Sequence, residues 1–419
     1  MENNFCNSEF IKIKNTLRAK NFSIPSLALY VHIPFCKSKC LYCDFYSLEL
    51  SSVKNFLQKE NSKVLASKFV QKILNDANDL TNLFNTKNFS SIYVGGGTPS
   101  LLSCDDIFYL SKTLSKKKLN GGEFTIELNP ESLTYDFLEA AIAGGINRFS
   151  LGVQTFSENI LQSQKRITKT ADIENALALL CSAKQKHKIQ ISCDLIVGFK
   201  NQTKTSVIYD IKKLLEVGIK HISIYTLCTA DSIQDSENDL ANFLFDIAEK
   251  ELVNAGFTRY EVSNFALGEK NESNHNKAYW NMQNYFGLGP SAVGTFFLNQ
   301  KQNSLTPTIR TTGFTNIKAW YNTRFPYTVE KISFEDTIKD FLLMQLRLKK
   351  GLDKEIFFAR FGLEFDKLLY NTIKKFSHFV FENTEKQFAL NNKGLNFLTP
   401  FLLDAFLEVE NFLQNSFKN

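Results

Sequence analysis

The sequence contains no long hydrophobic run. None of its 419 residues lies in a stretch of eighteen or more apolar residues, whereas a helix that crosses a bilayer needs about twenty. Residues 1–20 are polar and mixed in charge, so they lack the apolar segment of a secretory signal. These absences predict a soluble, cytoplasmic protein, and they leave peripheral membrane association open.

A strong excess of charge is also absent. Lys and Arg number 49 against 43 Asp and Glu, which gives a net charge of +6 without any basic block. This balance argues against nucleic-acid binding. Eight cysteines in a long chain without a signal are typical of reduced, catalytic or metal-bound thiols rather than disulfides. The apolar content of 43 % is sufficient for a large core.

Short β-rich segments alternate with helical patterns in the first half of the chain. The segments with strand character are 27–35, 90–94, 124–128, 148–153, 189–197 and 219–227. The helical patterns between them are 53–75, 105–119, 134–143, 171–184 and 205–217. This alternation predicts an α/β domain with a parallel sheet. Polar and special residues follow the strands at one end, which favours an open barrel of about six β/α units over a flat sheet.

The composition changes along the chain and suggests four regions. Residues 1–25 are interpreted as an N-terminal extension and residues 26–255 as the partial β/α barrel. Residues 256–329 form a connecting region that is rich in Asn, Gly and aromatic residues. Helical patterns return after it, so we predict a smaller, mostly helical C-terminal domain over residues 330–419.

Three cysteines lie within eight residues, in the pattern Cys36-x-x-x-Cys40-x-x-Cys43. One loop with this spacing can hold three irons of a 4Fe-4S cluster and leave the fourth iron open for a substrate. The alternative is structural zinc, which takes four ligands, usually from two separated pairs. The remaining cysteines offer no second pair: Cys6, Cys104, Cys181, Cys193 and Cys228.

A glycine run follows the second predicted strand, at Gly95-Gly96-Gly97-Thr98-Pro99. Glycines allow a ligand to approach the backbone closely, which suits a charged ammonium group. A dinucleotide-binding loop is the competing interpretation, but its G-x-G-x-x-G pattern is absent.

The cysteine spacing and the glycine run resemble the radical SAM superfamily, whose members bind S-adenosylmethionine (SAM) at the open iron of the cluster. Further motifs resemble the branch that contains oxygen-independent coproporphyrinogen III oxidase and heme chaperones. These motifs lie at 30–36, 43–45, 127–131, 151–156, 194–198 and 260–265.

The resemblance implies a SAM pocket, and its residues are Tyr30, Tyr42, Gly96, Gly97, Thr98, Glu127, Gln154, Arg166 and Asp194. Taken singly, a Glu, Gln or Asp at a strand end can equally cap the following helix. Their convergence on one end of a barrel favours the pocket. Two segments depart from the usual pattern of the branch, at 165–168, where Arg166 is kept, and at 228–232.

Two features distinguish the oxidase from the chaperones in this branch. The oxidase carries a fourth cysteine two residues after the third, where this chain has Phe45. The chaperones carry His-Asn-x-x-Tyr-Trp, which this chain matches from His275 to Trp280. A neutral imidazole is a common axial ligand of heme iron, so His275 is predicted to bind heme.

The resemblance therefore implies a heme chaperone that carries a 4Fe-4S cluster and SAM. Its implied partners are heme, acceptor hemoproteins of respiratory type, and an electron donor such as a flavodoxin or ferredoxin. The alternative is the SAM-dependent oxidase, which decarboxylates coproporphyrinogen III. Whether the protein is an enzyme stays open at this point.

Overall fold

The computed structural model describes residues 26–51, 62–86, 88–227, 236–297 and 308–416. Within these residues the largest sheet has 12 strands. In chain order the strands are β1 (Ser26–Ile33), β2 (Asn88–Gly96), β3 (Lys118–Leu128), β4 (Arg148–Gln154), β5 (Gln190–Val197), β6 (His221–Thr226), β7 (Thr258–Arg259), β8 (Asn264–Ala266), β9 (Tyr285–Leu288), β10 (Val293–Phe297), β11 (Thr308–Gly313) and β12 (Tyr327–Ile332).

Strands β1 to β6 lie side by side in chain order, and each pairs in parallel with the next. The outer neighbour of β1 is β9, and the outer neighbour of β6 is β8. The described strands therefore form an open barrel, not a closed one. This arrangement confirms the predicted fold class, an α/β partial barrel of about six units.

Helices cover the outside of the barrel. They are Ser62–Leu83, Cys104–Ser115, Tyr135–Gly144, Glu158–Ser163, Thr170–Lys186, Lys204–Glu216 and Ser236–Asn254. The sequence sets several of their ends. Ser103 caps one helix by accepting a hydrogen bond from the Asp106 amide at 3.1 Å, and Gly145, with φ of 104°, ends the next.

The helical pattern at 105–119 is too long by several residues, because the helix ends at Ser115 and β3 begins at Lys118. Lys118 pairs with Phe89 of β2, so the sheet takes residues that the pattern assigned to the helix. The pattern at 53–75 begins in residues 52–61, which lie outside the described ones.

Residues 258–332 extend both edges of the barrel sheet. Strands β7 and β8 add antiparallel strands beside β6. Strand β9 pairs in parallel with β1, and β10 to β12 continue outward in antiparallel order. Short helices interrupt this region at Asn274–Trp280 and Ile317–Asn322. The predicted region boundaries at 25, 255 and 329 stay predictions, but the connecting region contributes strands that the sequence pattern did not indicate.

The C-terminal part, residues 334–416, is mostly helical, as expected. Its helices are Phe334–Gln345, Lys354–Phe361, Phe365–Leu368, Tyr370–Lys375, Asn392–Asn396 and Leu398–Ser416. They surround an apolar core of their own, which is rich in Phe side chains such as Phe341, Phe357 and Phe401. A small antiparallel sheet, which was not predicted, joins Leu352–Asp353, Gln387–Leu390 and Val380–Asn383.

In the described part of the chain, no helix combines the length and the apolar character needed to span a membrane.

Candidate cofactor site

A cavity of about 580 Å³ opens where the parallel strands end at their carboxyl termini. Most of the residues predicted for the cluster and SAM line it, namely Cys36, Cys40, Tyr42, Cys43, Gly96, Gly97, Thr98, Glu127, Gln154, Arg166 and Asp194. They come from the loop after β1, from four further strands or the turns that follow them, and, for Arg166, from the segment after the helix Glu158–Ser163. The fold thus brings together side chains that are up to 158 positions apart, from Cys36 to Asp194.

The three cysteines lie on one wall of this cavity. Cys36 ends a two-residue strand, Phe35–Cys36, and Cys40 and Cys43 follow in the loop. The Cys43 amide donates a hydrogen bond to the Cys40 carbonyl oxygen at 3.2 Å. The Thr98 hydroxyl donates to Cys36 Sγ at 3.6 Å. Burial raises the pKa of Cys36 and of Cys43, and a bound metal would favour their thiolate forms.

The donor set of three cysteine thiols suits a 4Fe-4S cluster. Among the described residues, no three His, Cys, Asp or Glu side chains converge on one ion-sized site. A cubane takes one thiolate on each of three irons, so its ligands stand farther apart.

Gly97 leaves the space that this cluster would need. A Cβ at this position would lie 2.9 Å from Cys36 Sγ and 2.7 Å from the Phe35 carbonyl oxygen. The thiol wall and the glycine run therefore fit together only without a side chain at position 97.

Two buried carboxyl groups, Glu127 and Asp194, lie deeper in the cavity. Glu127 accepts hydrogen bonds from the Tyr93 hydroxyl at 2.8 Å and from the Gly96 amide at 2.9 Å. Burial, together with the nearby Asp194, raises the pKa of Glu127 to about 7, although the two hydrogen bonds act to lower it. Asp194 accepts from the Ser150 hydroxyl at 3.0 Å, and burial raises its pKa as well. Carboxyl groups in this setting suit ligand hydroxyls or an ammonium group.

Arg166 supplies a buried cation to the cavity lining. Its Nη1 donates to the Tyr42 hydroxyl at 2.8 Å, and its Nη2 donates to the Gly152 carbonyl oxygen at 2.6 Å. Its Nε is buried and finds no hydrogen-bond partner among the described residues. Arg166 lines the cavity, and its guanidinium suits a ligand that carries an acceptor such as a carboxylate.

Gln154 has an unusual backbone conformation, with φ of 65°. The pairing of β4 with β5 shifts by one residue between Gly152 and Gln154. Strained conformations of this kind persist where the surroundings hold them and are concentrated at functional sites.

The predicted residue Tyr30 does not line the cavity. Its hydroxyl donates to His32 Nδ1 at 2.9 Å, and His32 Nε2 donates to the Tyr46 carbonyl oxygen at 2.8 Å. Tyr93 lines the cavity instead and contacts Glu127 directly. The sequence did carry a signal for Tyr93, because it precedes Gly95 by two residues and therefore shares its face of the strand.

His275, predicted as a heme ligand, is buried in the barrel and lies outside the cavity lining. His275 is only 1 % exposed. Hydrogen bonds join Nδ1 to the Ser91 hydroxyl at 2.8 Å and Nε2 to the Tyr279 hydroxyl at 2.7 Å. Burial lowers the pKa of His275 to about 3, so the ring is neutral. In this conformation neither ring nitrogen is available to iron.

The mouth of the cavity carries exposed apolar side chains. Phe45 and Ile167 line the cavity and are 64 % and 47 % exposed, and Leu41, which lies in the cysteine loop, is 61 % exposed. A hydrogen bond from the Leu41 amide to the Gln164 carbonyl oxygen, at 3.1 Å, holds the cysteine loop beside the segment that carries Ile167. We call Leu41, Phe45 and Ile167 the apolar rim.

Comparison with known proteins agrees with this geometry. Residues 30–214 match the family model described as the radical SAM superfamily, and residues 332–378 match the HemN C-terminal domain. The heme chaperone HemW of Buchnera aphidicola subsp. Acyrthosiphon pisum is 30 % identical over 396 residues, covering 92 % of this chain and 100 % of the relative. HemW of Bacillus subtilis is 26 % identical, covering 87 % of this chain and 95 % of the relative.

A solved structure shares the fold. Coproporphyrinogen III oxidase (HemN) from Escherichia coli superposes with a TM-score of 0.72 at 19 % identity, covering 93 % of this chain and 91 % of that chain. The likeness extends over the barrel, the added strands and the C-terminal part.

Proposed function

The chain belongs to the HemW family within the radical SAM superfamily, and from this membership we propose that it is a heme chaperone, which binds heme and delivers it to acceptor hemoproteins. The family implies a 4Fe-4S cluster and SAM as cofactors. Respiratory hemoproteins are the proposed acceptors, and a flavodoxin or ferredoxin is the proposed electron donor.

The residues for the cofactors follow from the cavity. We assign Cys36, Cys40 and Cys43 to the cluster, which leaves one iron for SAM. The Arg166 guanidinium in the cavity lining supports a contact with the SAM carboxylate, and Glu127 and Asp194 suit the hydroxyl and ammonium groups of SAM. When bound and reduced, the cluster supplies one-electron chemistry, while the protein orients SAM and excludes water.

The apolar rim is the observation that carries the heme assignment. Phe45 stands where the oxidase of this branch has a thiol, and it presents most of its ring at the cavity mouth. A porphyrin offers a large flat apolar face, which an exposed aromatic ring can cover. Lys37 and Lys39 line the same cavity, and their ammonium groups suit the heme propionates.

Ligation of heme iron by His275, which the sequence motif predicts, is not part of this proposal. It would require the hydrogen bond to Ser91 or the one to Tyr279 to open, because each occupies one ring nitrogen. The apolar rim needs no such rearrangement, so it is the part of the proposal that the present conformation supports directly.

Hemin titration of anaerobically reconstituted protein tests the proposal. We expect a Soret shift for the parent, and for Phe45→Ala an affinity about tenfold weaker, because roughly 1.4 kcal/mol of apolar contact is lost. Phe381→Ala is the matched control, since Phe381 is 71 % exposed and lies in the small sheet of the C-terminal part. An absent Soret shift, or equal affinities for the parent and Phe45→Ala, would contradict the proposal.

The second candidate is the oxidase, and the well-formed cofactor cavity favours it. Its test is the conversion of coproporphyrinogen III to protoporphyrinogen IX in the presence of SAM and a reductant. Stoichiometric conversion by the parent would replace the chaperone with the enzyme as the function of this chain.

A further inference from the structure

The helix Asn274–Trp280, which carries the His-Asn-x-x-Tyr-Trp motif, begins against a buried ion pair of the barrel. The Glu123 carboxylate accepts hydrogen bonds from the amides of Asn274 and His275 at 3.0 and 2.9 Å. Arg148 lies 3.5 Å from Glu123 and donates to the Asn271 carbonyl oxygen at 2.9 Å. Glu123 and Arg148 belong to β3 and β4, so the start of the helix is fixed to the strands themselves.

The other end of this helix is held by the C-terminal part. Gln345 Nε2 donates to the Trp280 carbonyl oxygen at 2.5 Å. The Arg347 guanidinium lies over the Trp280 ring, 4.5 Å from its centroid. The motif helix is therefore anchored at both ends, and its side chains have a fixed position inside the fold.

The His275 ring is held on three sides. Hydrogen bonds join it to Ser91 and Tyr279, and its face stacks on the Tyr93 ring with centroids 5.1 Å apart and an angle of 29°. Ser91 and Tyr93 are two residues apart on β2, so they face the same side of the strand. The His275 side chain thus fills the space next to both Ser91 and Tyr93.

Tyr93 connects this ring to the cofactor cavity. Its ring packs on His275, while its hydroxyl donates to Glu127 Oε1 at 2.8 Å. A continuous chain of contacts therefore runs from the motif helix through His275 and Tyr93 to the carboxyl group that we assign to SAM. Removing the imidazole would leave an empty space against the Tyr93 ring, which could then tilt away from Glu127.

We propose that His275 is a positioning residue for the SAM site, acting through Tyr93 on Glu127, and not an axial ligand of heme iron. The inference rests on the SAM contact assigned to Glu127 under the proposed function. It explains why His275 is buried against β2 while the apolar rim lies at the cavity mouth. Both nitrogens of the ring serve to hold its orientation under Tyr93.

A double-mutant cycle on the anaerobically reconstituted full chain tests this inference. His275→Ala, Tyr93→Phe and the double variant are compared for SAM affinity by isothermal titration. We expect each single change to weaken SAM binding about tenfold, because a factor of ten corresponds to the free energy of one hydrogen bond that is lost or misaligned. The double variant should bind SAM as well as the single variant with the lower SAM affinity does, because both changes interrupt the same contact.

His221→Ala provides the matched control. His221 is also buried, and its ring is hydrogen-bonded to the Tyr260 hydroxyl at 2.9 Å. Tyr260 in turn accepts a hydrogen bond from the Ser273 amide at the start of the motif helix, so this control perturbs the surroundings of that helix without removing a contact to Tyr93. It should leave SAM affinity unchanged. His275→Gln keeps a polar side chain at the site, and we expect it to recover part of the SAM affinity and to fold where alanine does not.

Hemin titration separates the two ideas. With His275 as a positioning residue, His275→Ala and His275→Gln keep the parental Soret shift. Loss of that shift with unchanged SAM affinity would overturn the inference, and so would additive losses in the cycle. If the parent binds no hemin while the cycle holds, the chaperone proposal fails and the positioning role stands.

Discussion

The buried carboxyl group of Glu127 makes the stability of this protein depend on pH in a defined direction. The pKa of Glu127 is about 7 in the fold, against an ordinary value of 4.5. As the pH rises, the unfolded chain therefore releases this proton first. Folding stability from Glu127 is fully present below about pH 4.5 and is lost as the pH rises toward 7.

The magnitude follows from the size of the shift. One pKa unit corresponds to about 1.4 kcal/mol, so the shift of Glu127 is equivalent to about 3 kcal/mol between pH 4.5 and pH 8. In a fold of this size that energy corresponds to several degrees in the thermal midpoint. The parent has other buried acids, so the comparison must be made with a variant that lacks only this titration.

Glu127→Gln is that variant. It keeps the shape of the side chain but cannot accept both the Tyr93 and the Gly96 hydrogen bonds. The thermal midpoint of the variant is therefore expected to differ from that of the parent at every pH. The informative quantity is how this difference in midpoint changes with pH. Measured without SAM, the midpoint of the variant should rise relative to the parent by several degrees between pH 5 and pH 8.

The same substitution should weaken SAM binding about 10- to 100-fold, the scale of a hydrogen bond to a charged group. Asp210→Asn is the matched control. Burial raises the pKa of Asp210 to about 6, and its carboxylate accepts from the Phe156 amide at 2.9 Å outside the cavity. It should also reduce the pH dependence but leave SAM affinity intact. A constant difference between Glu127→Gln and the parent from pH 5 to pH 8 would refute the reasoning.

Three further substitutions test other parts of the structure. Gly97→Ala should lower the iron and sulfide retained per chain after reconstitution, because its Cβ would lie 2.9 Å from Cys36 Sγ. Arg166→Lys should weaken SAM binding about tenfold in isothermal titration, since one ammonium cannot replace a guanidinium that serves several acceptors. Arg259→Met should lower stability by about 3 kcal/mol and speed proteolysis of the C-terminal part, because it removes the ion pair of the buried Arg259 with the half-buried Glu249 and a 2.8 Å bond to Asn396. Parental iron content, SAM affinity or protease resistance would contradict the respective expectation.

The barrel was predictable because its strands are buried on both faces. Such strands form nearly continuous apolar runs, and all six of β1 to β6 were recognised in this way. The added strands were not, since β7 and β8 have only 2 and 3 residues and show no alternation to detect. Their position depends on pairing with β6, which the local sequence does not record.

The cofactor cavity was predictable for a different reason. Its residues follow the strands, and parallel strands place their carboxyl ends at one edge, so positions distant in sequence were expected to meet. Tyr30 and Tyr93 show the limit of this logic. They lie on neighbouring strands in register, yet only Tyr93 lines the cavity, because the Tyr30 hydroxyl bonds to His32.

His275 shows a different limit of prediction from sequence, and it bears on how the SAM site and the heme-binding surface are related. A motif that distinguishes heme chaperones invites the interpretation that its histidine contacts heme. Buried imidazoles with both nitrogens bonded more readily serve to orient a neighbour, and here that neighbour is Tyr93, which holds Glu127. Residues that mark a function in sequence can therefore act on the cofactor instead of the cargo. If so, the apolar rim is where variants should change heme affinity alone, and the motif helix is where they should change SAM affinity alone.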